Sequence, residues 1–120
     1  MPQVTFRNFP ESEAVREAVQ KNLDRLERFF PRITGCHVVL EAAQQNHHRV
    51  HDYHVVIEMC VPGHKIVVSH NHGIRESHQD IYVTIRDAFS AATRQLEDYV
   101  RERRGQVKHH EALPRESSGL

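Results

Sequence analysis

Glycine and cysteine are scarce in this chain, net charge is zero, and no apolar run is long. Each shortage removes a class of function. The five glycines are scattered over 120 residues, so there is no glycine-rich loop whose backbone amides could cradle a nucleotide phosphate. No Gly-x-Ser-x-Gly elbow, His-Glu-x-x-His helix or Cys-x-x-Cys pair occurs, and no arrangement of paired carboxylates stands out. The two cysteines, Cys36 and Cys60, sit in apolar strand-like runs. They form neither a disulfide frame nor a zinc pair and read as small buried hydrophobes, with a reducing cytoplasm as the simplest home. No run approaches the ~20 apolar residues that span a bilayer, and Met1–Arg7 has no positive start followed by an apolar stretch, so no secretory leader is expected. A net charge of zero argues against a strongly basic nucleic-acid binder, although it hides how the charges are arranged.

What is present describes one ordinary soluble domain: 38% hydrophobic and 27% charged residues in a length that leaves little room for a second domain. Val4 and Phe6 alternate with Thr5 and Arg7 as a short opening strand. Ser12 is placed as a helix N-cap, and Val15, Val19, Leu23, Leu26 and Phe30 then recur at steps of four or three until Pro31. Cys36, Val38, Leu40 and Ala42 alternate as a second strand. Val50 to Val61 is a third and longest one, with Tyr53, Val55, Ile57, Met59 and Val61 on one side. Pro62-Gly63 is a turn signal, and Lys65 to Ser69 closes a hairpin. After a polar loop over residues 70–77, Ser77-His78-Gln79-Asp80 fits a capping box. Ile81, Ile85, Ala88, Phe89, Ala92, Leu96 and Val100 then mark a long helix to about Arg104, which Gly105 could end. Residues 109–120 lack periodicity and are expected to be a disordered tail. The order implies an α+β, two-layer β-α-β-β-β-α domain over residues 1–108. Its four-stranded sheet carries two helices on one face and polar and histidine side chains on the other.

Both helices separate their charges. Lys21, Arg25 and Arg28 share one stripe beside an acidic one of Glu13, Glu17, Asp24 and Glu27. Arg86, Arg94, Arg101 and Arg104 share another, interrupted by Glu97, beside Asp80, Asp87, Asp98 and Glu102. Guanidiniums in a row suit the phosphates of structured RNA, whose helices offer side chains little base sequence to read. The plainer alternative is two solvated helix faces with helpful pairs four residues apart. Eleven histidines crowd the middle of the chain. His70, His72 and His78 could offer imidazoles to zinc or nickel, but their spacing matches no recognised zinc pattern, and exposed loop and strand histidines are the plainer reading.

With that order of elements in place, the residues resemble a known family. SEAVREAVQKNLDRLERFF, HVVLEA, VHDYHVVIEMCVPGHKIVVS and HQDIYVTIRDAFSAATRQLEDYVRERRGQVKHHE are similar to the ribosome hibernation promoting factor and ribosome-associated inhibitor family, also labelled sigma-54 modulation protein. Asp80-Ile81-Tyr82 and Arg94-Gln95-Leu96 look like its Asp-hydrophobic-Tyr and Arg-Gln-Leu motifs. The resemblance covers about Val4 to Glu111 and implies a fold similar to double-stranded-RNA-binding domains. It also implies a non-enzymatic, cytoplasmic translation regulator without cofactor or small-molecule substrate. Such a protein binds small-subunit rRNA near the decoding region under stress or in stationary phase and is a monomer when free. Arg16, Arg25, Arg28 and Arg94 align with positions often basic in the family. Charge patterning adds Lys21, Arg86, Arg101, Arg103, Arg104 and Lys108 as RNA-binding candidates.

The chain also departs from the family. Ala91 and Asp98 stand where it usually has a basic residue, and its first-helix lysine falls on Asn22. A narrower likeness runs from Asp80 to Glu111 and points to the subfamily in which this domain precedes a cold-shock domain. If complete at Leu120, the chain would carry neither that domain nor the dimerising tail of longer members, and could not pair ribosomes by such a tail. Two other readings stay open: a histidine-based metal-binding module, and a protein-interaction domain that keeps the fold without binding rRNA.

Overall fold

The computed structural model describes residues 3–8, 10–42, 53–71 and 81–112, with Asn71 and 106–112 described by backbone alone. The elements run β1 (Gln3–Arg7), α1 (Glu13–Phe29), β2 (Gly35–Ala42), β3 (Tyr53–Val61), β4 (His64–Asn71) and α2 (Ile81–Ala112). The capping box expected at Ser77–Asp80 lies outside the described residues, as do residues 113–120 of the tail expected over 109–120, whose residues 109–112 fall within α2.

Local chemistry explains the boundaries. Ser12 holds an extended backbone (φ −135°, ψ 127°), and its hydroxyl accepts from the Val15 amide, satisfying one of the donors that a helix start leaves free. Phe30 closes the helix by donating its amide to the Leu26 carbonyl at 2.9 Å, and Pro31 cannot continue it. Asn8, with φ 64°, ends β1 in the left-handed region that asparagine tolerates better than most residues. At the β3–β4 turn Pro62 is followed by Gly63 at φ 75°, a conformation that suits glycine because it has no Cβ. Tyr99 of α2 donates its hydroxyl to the Pro62 carbonyl at 2.8 Å. The Arg103 guanidinium lies 5.6 Å over the Tyr99 ring, so the long helix grips the hairpin tip.

The sheet has the order β1-β2-β3-β4. β1 runs parallel to β2, with Val4 opposite Val38 and Phe6 opposite Leu40. A parallel pair needs a crossover, which α1 supplies. The remaining pairs are antiparallel, with Val38 opposite Ile57 and Ile57 opposite Val68. Alternation places Val38, Leu40, Val55, Ile57, Met59 and Val68 in the core, where they meet Val19, Leu23 and Leu26 of α1 and Ile85, Phe89, Ala92 and Leu96 of α2. Both helices lie on this one face. The opposite face carries His37, Glu41, His54, Glu58, Lys65 and Ser69, as the strand periodicity predicts.

Two expectations change. α2 does not stop at Gly105 but runs to Ala112. A Cβ at Gly105 would meet nothing within 4 Å, so no packing favours a break there. Glycine inside an exposed helix costs only ~1 kcal/mol, which helix-forming neighbours offset. The cysteines also differ from each other. Cys36 is buried whereas Cys60 is exposed, because Cys60 has the parity of the open sheet face.

Candidate RNA-binding surface on the helices

α1 and α2 meet along matched stripes. Asn22, Arg25, Leu26 and Phe29 from α1 and Arg86, Phe89, Ser90 and Thr93 from α2 line a cleft of about 150 Å³. Each set follows the i, i+3, i+4, i+7 spacing of a single helix face. Leu26 and Phe89 form the buried floor. Arg25 and Arg86, from separate stripes of the sequence, thus come onto one site. Lys21 and Arg28 continue the Arg25 stripe, and Arg94 lies two turns beyond Arg86.

The remaining candidates divide by what they already touch. Lys21, Arg25, Arg28, Arg94 and Arg104 are exposed, and no ion pair or hydrogen bond is recorded for them among the described residues. Arg16 pairs with Glu11 at 2.9 Å and lies 5.3 Å over the Phe6 ring, so its cation is committed to holding α1 on β1. Arg86 reaches Asp87 at 3.3 Å and Arg101 reaches Asp98 at 3.2 Å, which crosses the basic and acidic lines read from the helical wheel. Both pairs are exposed and worth little to stability, so a phosphate can compete for either arginine. Arg103 donates to the Pro62 carbonyl at 3.4 Å, which ties it to the hairpin. The side chain of Lys108 lies outside the described residues.

Charge patterning missed the non-ionic half of the cleft: Asn22, Phe29, Ser90 and Thr93. Phe29 carried one available signal. It stands off the Val15–Phe30 stripe, one turn past Arg25, and is 67% exposed.

On the open sheet face, Glu41 Oε1 lies 3.9 Å from His54 Nδ1, and His54 Nε2 lies 2.8 Å from Ser69 Oγ. Carboxylate, imidazole and hydroxyl stand in the order of a hydrolytic triad. The carboxylate is too distant to orient the ring by a hydrogen bond. The surrounding strand amides belong to the sheet ladders, which leaves no pair of N–H groups aimed at an oxyanion among the described residues. These contacts link three strands instead. No cluster of three or more His, Cys, Asp or Glu side chains placed to hold a metal occurs among the described residues. His72 and His78, needed for the expected imidazole set, lie outside them, as do His47, His48 and His51. No described helix is long and apolar enough to cross a membrane.

The cysteines give a direct check on the sheet parity. Burial, then the nearby Glu27 carboxylate and Cys60, push the Cys36 thiol up from 9.0 to about 11. A thiol reagent at pH 8 is expected to modify Cys60 quickly in the native protein and Cys36 only on unfolding. Two fast thiols would contradict the parity. Between these two pKa values the native state keeps a proton that the unfolded chain has lost. The contribution of Cys36 to stability is therefore complete below pH 9 and is lost as pH rises through about 11. Urea titrations on either side of that window should differ by about 2 kcal/mol, and Cys36→Val should remove this component.

Residues 3–104 match the family model described as sigma 54 modulation protein / S30EA ribosomal protein. Two solved structures share the fold. A ribosomal subunit interface protein from Coxiella burnetii superposes with a TM-score of 0.67 at 21% identity, over 82% of this chain and 94% of that one. The N-terminal domain of Protein Y from Thermus thermophilus superposes with a TM-score of 0.63 at 24% identity, over 81% and 94%. No curated protein matches the chain. The broader of the two resemblances is the one these findings carry, and they lend no support to the narrower likeness to the cold-shock fusion subfamily. With nearly its whole folded length matched, the chain belongs to the sigma-54 modulation protein / S30EA ribosomal protein family, whose members are ribosome-associated, non-enzymatic translation regulators of the hibernation-factor and Protein Y type.

Proposed function

We propose that the helix surface binds rRNA of the small ribosomal subunit near the decoding region. Residues 1–108 act there as the binding unit and inhibit translation under stress or in stationary phase. The observation that carries this reading is the convergence of Arg25 and Arg86 on one cleft, flanked by Lys21, Arg28 and Arg94. A rigid row of exposed guanidiniums recognises phosphates by bidentate contact, and each neutralised phosphate releases counterions. The Coxiella burnetii relative is described as a ribosomal subunit interface protein, which agrees with a site between subunits, where bound protein would exclude mRNA and tRNA. Occupancy alone accounts for the inhibition, so no chemical step is required.

The test is co-sedimentation of the purified protein with ribosomes and separated subunits at low and moderate salt. The protein should migrate with small subunits or whole ribosomes at low salt and leave them as salt rises. Protein that stays at the top of the gradient at every salt would overturn the proposal and favour a protein-interaction domain on the same fold.

A further inference from the structure

We infer that the cleft between α1 and α2 accepts one unpaired RNA nucleotide, its base against Phe29 and its phosphate between Arg25 and Arg86. This deepens the rRNA-binding reading and depends on it. Phe29 lines the cleft and is 67% exposed, so much of its side chain is open to solvent. Among side chains, an aromatic ring beside guanidiniums is the pairing that holds unstacked bases, through stacking on one part of the nucleotide and charge on another.

Charge points to the same ligand. No acidic residue lines the cleft, which Arg25 and Arg86 line from opposite helices. An anion bound at the cleft could draw on the positive charge of both side chains. Asp87, half-buried, reaches the exposed Arg86 at 3.3 Å, and a phosphate can compete with it for the arginine. Size limits the occupant further. The cleft holds about 150 Å³, roughly half the lower end of drug-sized pockets at ~300 Å³, so it takes one flat ring and no large ligand. Its polar atoms suit a base edge. Asn22 spends its amide N–H on the Ala18 carbonyl at 2.9 Å, which leaves its Oδ1 to accept from an exocyclic amine. The Thr93 hydroxyl donates to the Phe89 carbonyl at 2.9 Å and remains an acceptor, and Ser90 can do either. A base inside a duplex cannot present its face to such a cleft, so the site selects a bulged or looped nucleotide and not helical RNA.

Replacing Phe29→p-benzoylphenylalanine places a photo-crosslinker at the cleft mouth. Irradiation is carried out on purified small ribosomal subunits, with co-sedimentation measured on the same samples. The expected result is a crosslink to one rRNA nucleotide in whatever fraction of the protein migrates with the subunit. Alongside it, Phe29→Leu should weaken binding about tenfold with an unchanged salt slope, because stacking is lost and no charge is. Arg25→Gln alone should change the slope of log K against log salt little, because Arg86 still neutralises the shared phosphate, whereas Arg25→Gln together with Arg86→Gln should reduce it by ~0.7. Co-sedimentation with a crosslink to a ribosomal protein, or with none, would overturn the nucleotide site and leave ribosome binding standing. Absence of co-sedimentation in the unmodified protein would remove both.

Discussion

Changing Arg25, Arg28, Arg86 and Arg94 together to glutamate should lower affinity for small ribosomal subunits by roughly 10³–10⁴-fold at ~0.1 M salt. The estimate follows from counterion release: each phosphate contact contributes ~0.9 to the salt slope, hence about a decade of affinity between ~0.1 M and 1 M salt. Arg25 and Arg86 share one phosphate, so three lost contacts account for nearly three decades, and the new repulsion between carboxylates and phosphates supplies the rest. Each replacement removes two units of positive charge, so the formal net charge moves from zero to eight negative. All four side chains are exposed, so the variant should keep its fold and its circular dichroism spectrum. Reversal of Arg16 and Arg103 serves as the contrast, since their contacts to Glu11, Phe6, Tyr99 and Pro62 are internal. That pair of changes should lower stability more than it lowers affinity of the folded protein. A quadruple variant that binds within threefold of the parent would move the contact surface away from the helices. The open sheet face, with half-buried Val39 and Val56 and exposed Val67, would then become the surface to examine.

Leu23→Ala should destabilise the domain by about 2–5 kcal/mol, a large share of the ~5–15 kcal/mol that holds a typical domain together. Leu23 is fully buried, at the middle of the α1 stripe where the helix meets the sheet and α2. Its truncation removes apolar contact and leaves a space that the close-packed surroundings fill only in part. Val67→Ala is the matched control. It also shortens an apolar side chain, but Val67 is 53% exposed on the open sheet face and should change stability by no more than ~0.5 kcal/mol. Urea titrations should show the midpoint falling for Leu23→Ala with little change in slope. A loss under 1 kcal/mol at Leu23 would mean that α1 is not anchored by its apolar stripe. At a temperature where it stays folded, Leu23→Ala should still bind small subunits, which separates the core from the binding surface.

The elements were legible because their signals are local. Val15, Val19, Leu23 and Leu26 repeat at helical spacing and are all buried. Cys36, Val38 and Leu40 alternate and face the core together. Ser12 and Pro62-Gly63 mark a cap and a turn that backbone geometry requires. The end of α2 was less legible. Gly105 is a weak stop, and whether a helix passes through one glycine depends on a balance near 1 kcal/mol. Cys60 shows a related difficulty: an apolar residue in a strand reads as core until the parity of its neighbours is followed across the sheet.

The candidate binding surface was legible only in part. The stripe of Lys21, Arg25 and Arg28 lies within one helix, so periodicity alone places those cations together. The pairing of Arg86 with Asp87 and of Arg101 with Asp98 depends on side-chain conformations that a helical wheel does not contain. The use of Arg103 at Pro62 joins residues 41 positions apart, which no local pattern reports.

By itself, then, the amino-acid order determined which segments form strands and helices, which face of each is apolar, and the family to which the chain belongs. These properties follow from dihedral preferences and from burial of one stripe per element, both acting over a few residues. Only the tertiary structure decided that residues 22–29 and 86–93 would meet, because that juxtaposition depends on how two helices settle on one sheet. The packing of distant apolar faces sets it, and with it the cleft that brings two arginines and an exposed phenylalanine to the same place.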